Sequence, residues 1–372
     1  MKKTLSKLAL ATVFSLASLS ASADYNFSLL NGVDDGNSYA RSINDLGQIV
    51  GHSTSSARNG TNRATLWDNG VATDIYPHGV TTNFFARSIN NSGQVVGYYD
   101  NCSAYSSCGM FWNDGVGTSI TPQGSVGSVA FSINNSGKFV GYSKNADEPF
   151  RATLWDNGVA TDITPQGSLY SIATSINDLG QIVGHSYNPT DLPLATLWNN
   201  GVATQLNNPQ GSDYSYARSI NDLGQIVGFS QSAGGYERAT LWDNEVATDM
   251  TPQGSVGSYA GSINNLGQIV GYSLNANTSY RATLWDNGVA TDLNSFLSAS
   301  AISEGWVLGE AFDINDNGDI VGDAYNTVSN TRRGFLLQSV AAPVPEADTS
   351  AMLLTGLGLI GFMARRRKNT QV

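Results

Sequence analysis

The sequence predicts an all-β protein, a seven-bladed β-propeller of four-stranded antiparallel blades closed by an N-terminal outer strand. Three observations predict this fold class: one motif recurs seven times, turn signals divide each repeat into four strand-like runs, and a spare strand precedes the first repeat. Each repeat contains a Ser-Ile-Asn or Asp-Ile-Asn triplet. The isoleucines of these triplets are Ile43, Ile89, Ile133, Ile176, Ile220, Ile263 and Ile314, at steps of 46, 44, 43, 44, 43 and 51 residues. A regular period of about this size indicates a repeat architecture.

Four short runs with strand character make up each repeat, as the unit that begins at Ser258 illustrates. Its runs are SYAGSIN (258–264), QIVGYS (268–273), RATLW (281–285) and VATDL (289–293). Adjacent β-branched residues such as Ile269 and Val270 favour extended backbone, and the 3.6-residue periodicity of helices is absent. One four-stranded meander cannot bury both of its faces, so we expect the units to stack radially.

The joints between these runs have turn chemistry. Asn264–Gly267 favours a type I turn followed by a left-handed residue, and Asn287-Gly288 is typical of a two-residue hairpin loop with positive φ at both positions. Pro252 ends a fourth strand because proline cannot donate a ladder hydrogen bond. In one repeat Glu245 replaces the hairpin glycine. A non-glycine residue at positive φ costs about 1–2 kcal/mol, so a different turn type is predicted there.

The two ends of the repeat region predict how the ring closes. The last unit stops at Gly334–Val340, which corresponds to a third strand, and Tyr25–Leu30 precedes the first unit as a fourth strand precedes the others. An N-terminal outer strand paired with the last blade explains both features, whereas an open solenoid would need polar caps. We therefore predict one closed domain over residues 24–340.

The first 23 residues have the pattern of a secretory signal peptide. Lys2, Lys3 and Lys7 precede an apolar run over residues 8–19, and Ala21-Ser22-Ala23 is a small-residue cleavage site. Cleavage is predicted between Ala23 and Asp24, so this segment is excluded from the fold.

The C-terminal end contains a second targeting pattern. A linker over residues 341–350 holds Val344-Pro345-Glu346, and residues 351–372 contain an apolar run followed by a basic cluster, Arg365, Arg366, Arg367 and Lys368. Basic residues after an apolar segment stay cytoplasmic, so a transmembrane helix is expected here. The order resembles the PEP-CTERM sorting signal of exopolysaccharide-producing bacteria, although Ala347 stands where the family usually has a second proline. The resemblance implies transient inner-membrane anchoring and removal of the tail by an exosortase near Pro345-Glu346; a permanent anchor is the alternative.

Charge restricts the class of partner. Of nineteen basic residues, seven lie in the two terminal segments, and two of the thirty acidic residues lie in the tail. Twelve basic and twenty-eight acidic residues remain, a net charge near −16. Such a surface is unsuited to nucleic acid, whose binding needs clustered Lys and Arg, and suits an exported protein or one that meets cations.

Two cysteines, Cys102 and Cys108, lie in the longest early spacer. In an oxidising compartment they are expected to form a loop disulfide, with unpaired thiols as the alternative. A metal site at this pair is disfavoured because His and Cys partners are absent nearby in the sequence.

The strand order separates two faces of the predicted ring. The first-to-second and third-to-fourth turns are uniform and lie on one face, while the second-to-third loops lie on the other and differ in every unit. These variable loops span residues 52–62, 99–107, 144–150, 187–193, 231–236 and 274–280. Because function concentrates in loops on a rigid scaffold, this face is the candidate binding face, with unselected spacers as the alternative. The repeated Trp67, Trp112, Trp155, Trp198, Trp242 and Trp285 are predicted to lie between blades or at blade edges, with sugar stacking as the minor interpretation.

Candidate metal and catalytic residues are few. Asp313, Asn315, Asn317 and Asp319 resemble the first half of a calcium loop, but Ala324 stands where a bidentate Glu belongs. His52, His78 and His185 lie outside metal-ligand spacings and are interpreted as loop variation, and the Gly-x-Ser-x-Gly motif is absent. Paired carboxylates for glycoside cleavage stay open because their spacing is spatial. No cofactor is predicted.

The unit SIN-x-x-GQIVG-Y-S followed by x-A-x-L-W-x-x-G resembles the HAF-type extracellular repeat of secreted bacterial proteins, over about residues 25–340. The name-giving His-Ala-Phe reads Arg281-Ala282-Thr283 here. The resemblance implies an exported β protein of the surface or matrix and supplies no reaction. We expect a non-enzymatic extracellular-matrix or surface protein that binds polysaccharide or surface proteins through its variable loops; the alternative is a secreted carbohydrate-active hydrolase or lyase.

Overall fold

The computed structural model describes residues 24–54, 60–75, 82–103, 106–146, 148–187, 192–209, 212–232 and 235–340. These residues form seven four-stranded sheets, and the pairings between consecutive strands are antiparallel. Neighbouring sheets pack against one another around the ring, and the first packs against the last. The protein is a seven-bladed β-propeller, as the repeat predicted.

The strands follow one another from the channel outward in each of the first six blades. Blade 1 contains β2 (Ser38–Ile43), β3 (Ile49–Thr54), β4 (Asn62–Asp68) and β5 (Val71–Asp74), and blade 2 contains β6 (Phe84–Ile89), β7 (Val95–Ser103), β8 (Ser106–Asn113) and β9 (Val116–Ser119). Blade 3 contains β10 (Gly127–Ile133), β11 (Phe139–Lys144), β12 (Arg151–Asp156) and β13 (Val159–Asp162), and blade 4 contains β14 (Ser171–Ile176), β15 (Ile182–Tyr187), β16 (Pro193–Asn199) and β17 (Val202–Gln205). Blade 5 contains β18 (Ser212–Ile220), β19 (Ile226–Ser232), β20 (Glu237–Asp243) and β21 (Val246–Asp249), and blade 6 contains β22 (Gly257–Ile263), β23 (Ile269–Leu274), β24 (Tyr280–Asp286) and β25 (Val289–Asp292).

Blade 7 is assembled from both ends of the domain. Its strands are β26 (Trp306–Ile314), β27 (Ile320–Asn326), β28 (Arg332–Val340) and β1 (Asp24–Leu30), with β1 paired to β28. The ring is therefore closed by the N-terminal outer strand, as predicted. The backbone N–H of Gly334 also donates to the Ser38 hydroxyl at 3.0 Å, which joins blade 7 to blade 1.

Helical structure is confined to two joints of the described chain. Short 3-10 turns lie at Val33–Asp35 and Leu293–Phe296, and helix α1 (Ala299–Ser303) follows the second turn. Residues of α1 and its 3-10 turn occupy the extra length of the last repeat, which accounts for its longer step.

A glycine on every second strand makes room for a bulge on the first strand. Strand β22 shifts register between Ala260 and Ser262, where it pairs with β23. A Cβ on Gly271 would lie 1.9 Å from the backbone oxygen of Tyr259, and the corresponding glycines of the other blades face the same close approach. The second glycine of the repeated GQIVG motif is thus required by backbone contact at a bulge.

The two-residue hairpins between third and fourth strands have positive φ at both positions, as predicted. In blade 6 these positions are Asn287 (φ 49°) and Gly288 (φ 78°). The prediction for Glu245 was wrong: Asn244 (φ 48°) and Glu245 (φ 67°) have the same conformation. Because Asp243 pairs with Val246 across this loop, the ladder leaves room for two residues only, and its register outweighs the local strain of about 1–2 kcal/mol.

The repeated tryptophans are buried between blades, as the first interpretation proposed. Trp155 of blade 3 packs with Val96 and Phe111 of blade 2, and its indole N–H donates to the Ile120 carbonyl at 3.0 Å. The six side chains are only 1–4% exposed. They are therefore unavailable for sugar stacking, which removes that alternative.

Three predicted terminal segments lie outside the described residues: the predicted signal peptide (1–23), the linker with its sorting motif (341–350), and the hydrophobic segment with its basic tail (351–372). Within the described part of the chain, no helix has the length and apolar character that a membrane crossing requires. His78 also lies outside the description.

Candidate binding cavity

The central channel has two chemically different ends. The first strand of every blade lines the channel and ends in the turn to the second strand, so residues at the end of β2 and its counterparts mark one face. We call this the turn face. The opposite face, which carries the second-to-third-strand loops, is called the loop face.

At the turn face the Asn of each Ser-Ile-Asn triplet forms a closed ring of hydrogen bonds. The side-chain amide of each donates to the backbone oxygen of the next, at 2.9–3.0 Å. The order is Asn44, Asn90, Asn134, Asn177, Asn221, Asn264, Asn315 and back to Asn44. The Asn oxygen accepts from its own turn, as Asn221 does from the N–H groups of Leu223 and Gln225. One side chain therefore stabilises both the turn and the contact between blades.

A second ring lies one residue further along. Each backbone N–H at this position donates to the side-chain oxygen of the same position in the next blade, at 2.8–2.9 Å. The residues are Asp45, Asn91, Asn135, Asp178, Asp222, Asn265 and Asp316. Asp and Asn alternate freely because both supply the accepting oxygen.

The calcium-loop candidates belong to this architecture. Asp313 takes the place of the repeated serine and accepts from the N–H of Ile43 at 3.0 Å and the hydroxyl of Ser262 at 2.7 Å. Burial raises the pKa of Asp313, against the lowering effect of these hydrogen bonds. Asn315 belongs to the asparagine ring, Asn317 donates to the Asp45 backbone oxygen, and Asp319 accepts from the Ser339 N–H. Each is thus engaged in turn or inter-blade contacts. In the described ranges, no three His, Cys, Asp or Glu side chains are grouped to hold a metal ion.

The loop-face end widens into a cavity of about 510 Å³. Its walls come from two positions of the first strands, two and four residues before the triplet isoleucine. Second-strand residues that pair with the position four residues before, such as His185 opposite Ile172, complete the walls. Charged and polar lining residues are Arg41, Arg87, Arg218, Glu310, His185 and Thr174, and the aromatic ones are Phe131, Phe312, Tyr259, Tyr272 and Tyr280. The turn-face end of the channel is lined differently, by the Ser, Ile, Asn and Asp residues of the repeated turns.

One side of the cavity contains a charged cluster. The Arg41 guanidinium lies 3.4 Å from the Asp323 carboxylate and 4.0 Å above the Phe312 ring. Asp323 pairs across the strands with Glu310, which places the two carboxyl groups side by side. Burial and, secondarily, Glu310 raise the pKa of Asp323 to about 7 against the effect of Arg41. Burial also raises the pKa of Glu310.

Arg87 and Arg218 are held by aromatic side chains. Arg87 donates to the Tyr98 hydroxyl at 3.1 Å and lies 5.2 Å from the centre of that ring. Arg218 lies 5.5 Å and 5.6 Å from the ring centres of Tyr259 and Phe229. Among the described residues, no carboxylate lies within 4 Å of either guanidinium, and the Nε–H of each is buried without a hydrogen-bond partner.

For His52 and His185 the interpretation as loop variation was wrong. They lie within strands β3 and β15, at a position that holds Tyr or Phe in four other blades and Asp323 in blade 7. His52 stacks on Tyr39 at 4.6 Å, whereas His185 lines the cavity and is 6% exposed. Burial lowers the pKa of His185 to about 3, helped by Arg218, so its imidazole is neutral near pH 7. Its Nδ1 is buried without a hydrogen-bond partner among the described atoms.

Parts of the predicted variable loops, residues 55–59, 104–105, 147, 188–191 and 233–234, lie outside the described residues. The loop at residues 275–279 is described completely, and Tyr280 at its end reaches the cavity. Cys102 and Cys108 form a disulfide beside the β7–β8 connection, with Cα atoms 5.8 Å apart. The described walls of the cavity are mainly strand residues, which the loop-based prediction did not include. A signal was present in the sequence: the positions two before the triplet isoleucine read Arg, Arg, Phe, Thr, Arg, Gly and Phe around the ring. They follow an invariant Ala and precede a Ser that only the last unit replaces, by Asp313.

Comparisons with known proteins identify the targeting signal and the fold. Residues 343–368 match the PEP-CTERM protein-sorting motif. This motif is a recognition signal for exosortase processing and indicates export by membrane-associated sorting to the cell surface or extracellular space. No curated protein matches the sequence.

Three solved structures with protease, hydrolase or peptidase names align with this chain. The β-propeller domain of the Trilobed protease from Pyrococcus furiosus is 12% identical with a TM-score of 0.58, over 85% of this chain and 99% of that one. A puromycin hydrolase is 10% identical with a TM-score of 0.53, and a puromycin-hydrolyzing peptidase of Mycobacterium tuberculosis is 12% identical with a TM-score of 0.49. The alignments cover 87% of this chain in both cases, but only 57% and 54% of those chains. At these identities the first two comparisons show the propeller fold alone.

Proposed function

We propose that this protein is an exported, non-enzymatic surface or extracellular-matrix protein that binds saccharide in the cavity of its loop face. One observation carries the proposal: the repeat maintains the turn-face end of the channel in every blade, while the loop-face end varies among the blades and gathers aromatic, Arg and His side chains. The resemblance of the repeat to HAF-type extracellular repeats agrees with an extracellular binding role.

The chemistry of the cavity suits a sugar. Ligand pockets are commonly about 300–1,000 Å³ and combine apolar walls with a few placed polar groups. The faces of Tyr259, Tyr272 and Phe131 offer apolar surface for sugar C–H groups, while tyrosine hydroxyls offer hydrogen bonds to sugar hydroxyls. Neutral His185 can donate from one ring nitrogen and accept at the other.

A structural role alone does not account for this arrangement. The side chains two positions before the triplet isoleucine include Gly261 and Arg218 in adjacent blades, although the flanking backbone is the same. Blade packing therefore tolerates any size at this position. Arg41 is buried in the cavity wall, where the Asp323 carboxylate at 3.4 Å offsets part of the desolvation cost of its charge.

The proposal is tested by saccharide binding to the exported protein. A glycan array would select a ligand, and calorimetry would compare Tyr280→Ala with Tyr236→Ala. Both tyrosines are about half exposed, at 46% and 49%, and lie beside a second-to-third-strand loop, but only Tyr280 lines the cavity. We expect Tyr280→Ala to weaken binding about five-fold or more, since sugar–aromatic stacking and area burial are lost. Equal effects of the two substitutions, or no saccharide bound, would contradict the proposal.

A second candidate function is a carbohydrate-active hydrolase or lyase. The paired carboxyl groups of Glu310 and Asp323 favour it, because glycoside cleavage uses two carboxyl groups with separated pKa values. Incubation with the saccharide that binds, followed by mass analysis, distinguishes the two functions. Product that disappears in Glu310→Gln would support the enzyme; binding without cleavage supports the binding protein.

A further inference from the structure

We infer that the ligand of the loop-face cavity is an acidic saccharide, whose anionic substituent is bound by Arg87 and Arg218. The inference rests on the proposed saccharide binding and adds the charge of the ligand. It specifies a sugar residue that carries a carboxylate or a sulfate, in contrast to the neutral sugars that aromatic walls alone would accept.

Basic side chains are concentrated in the loop-face cavity. Of twelve basic residues in the propeller region, three line this one cavity, in a region whose net charge is near −16. Glu310 also lines the cavity, and Asp323 lies beside Arg41. Glu237 lies at the edge of the cavity, where it accepts from the Tyr272 hydroxyl at 3.3 Å. The lining itself therefore contains three guanidinium groups and one carboxylate, that of Glu310.

Arg87 and Arg218 differ from other arginines of the propeller in their contacts. Arg63, outside the cavity, contacts both Asp34 and Asp74, and Arg238 lies 3.0 Å from Asp249. Arg87 and Arg218 contact aromatic rings instead, and the described residues place no carboxylate within 4 Å of either. Among the described residues, their charges therefore lack a contacting carboxylate. A bound anion would supply that contact, because guanidinium groups match carboxylate and sulfate oxygens geometrically.

The two guanidinium groups are preorganised for binding. The rings of Tyr98, Tyr259 and Phe229 hold the two guanidinium groups in place before a ligand arrives. Holding long side chains in place lowers the entropy that binding would otherwise lose. Gly261, beside Arg218 in the ring, places no side chain on the cavity wall, and a Cβ there would make ordinary contacts, the nearest at 3.5 Å.

The acidic surface around the cavity limits the size of the charged group that can enter it. Surface carboxylates outside the cavity repel a long polyanion, and this repulsion extends over about 8–10 Å at physiological salt. Contacts inside the cavity are screened less. We therefore expect one acidic residue or a chain end to enter, and the affinity to survive moderate salt.

The test measures binding of matched oligosaccharides to the exported protein by calorimetry. The probes are tri- and tetrasaccharides of glucuronate, galacturonate and mannuronate, their neutral glucose, galactose and mannose counterparts, and a sulfated galactose oligomer. Inorganic sulfate alone is a separate arm. We expect at least one acidic oligomer to bind ten-fold or more tightly than its neutral counterpart, and the carboxylate and sulfate arms identify the substituent.

Substitutions locate the effect. Arg87→Gln and Arg218→Gln should each weaken binding of the acidic oligomer ten-fold or more and change binding of neutral sugars less than three-fold. Arg238→Gln removes the same charge at an exposed ion pair outside the cavity and should leave both affinities unchanged. Arg218→Lys keeps the charge and should retain part of the affinity. Melting curves verify that each variant is folded.

The outcomes separate the two claims. Neutral and acidic oligomers of equal affinity would overturn this inference and leave saccharide binding standing. Failure of every saccharide would overturn both. Binding of inorganic sulfate as tightly as the sulfated oligomer would overturn the saccharide specificity, and an equal loss in Arg238→Gln would show that only overall charge matters.

Discussion

The two ends of the central channel are built from the same strand and serve different purposes. At the turn face, Asn221 and its six counterparts make identical hydrogen bonds in a closed ring. At the loop face, a few residues back along β18, Arg218 stands where blade 6 has Gly261 and blade 3 has Phe131. Repetition therefore marks the residues that the ring needs, and variation marks residues that the ring leaves free.

This difference shows where to look for function in a repeat protein. A side chain that nearly every blade repeats, such as the buried tryptophan of the first six blades, is explained by contacts between neighbouring blades. A side chain that some blades carry and others lack, such as Arg218, needs another explanation.

The largest effect is expected from two glycines of blade 6. Gly271→Ala should lower the free energy of unfolding by about 3 kcal/mol, because its Cβ would collide with the Tyr259 backbone oxygen. Gly261→Ala should change it by less than about 0.5 kcal/mol, since the new Cβ meets only ordinary contacts. Denaturant titration of both variants measures the pair. Similar losses would contradict the division between repeated and unique positions.

Breaking the asparagine ring comes next. Asn221→Ala removes a donor to the Asn264 backbone oxygen and the acceptor for two turn N–H groups. Unsatisfied buried groups cost about 1–3 kcal/mol each, so we expect a loss of about 2–3 kcal/mol. Saccharide affinity should be unchanged, because Asn221 lies at the opposite end of the channel. A folded variant of parental stability that no longer binds would reverse the assignment of the two ends.

His185 predicts how acid affects the loop-face end. The pKa of His185 is about 3 in the folded protein and near 6.5 in the unfolded chain. Below pH 6.5 the unfolded state therefore binds one more proton than the folded state, and the free energy of unfolding decreases as the pH is lowered. The slope approaches about 1.4 kcal/mol per pH unit. His185→Phe, which copies Phe229 of blade 5, should remove this contribution. Denaturant titrations at pH 7, 6 and 5 compare the proteins; parallel curves would refute a neutral buried His185.

The smallest effect is expected at the unusual hairpin of blade 5. Glu245→Gly should raise the free energy of unfolding by about 1 kcal/mol, because glycine adopts φ near 67° without strain. Thermal melting measures the shift, and Asn244→Gly is the control at the neighbouring position, where Asn already tolerates positive φ. A destabilised Glu245→Gly variant would mean that the Glu side chain makes a compensating contact.

Period, turn chemistry and strand character were readable from the sequence because each is local. The Ser-Ile-Asn spacing predicted seven units, Asn287-Gly288 predicted its hairpin, and the spare run at Tyr25–Leu30 predicted closure. The local rule failed at Glu245, where strand pairing outweighed the preference of one residue. It failed again at His52 and His185, whose positions within strands were obscured by their polar character.

The cavity could be recognised only from the closed ring of blades. Arg41, Arg87 and Arg218 belong to three different blades, and no local pattern in the chain brings them together. They meet because radial packing points the same position of every first strand toward one axis. The sequence by itself therefore determined the propeller fold, through local strand and turn patterns, and the export of the protein, through its sorting motif. The convergence of charged side chains at the loop face was decided by the tertiary structure, because it depends on packing between blades that are distant in the chain.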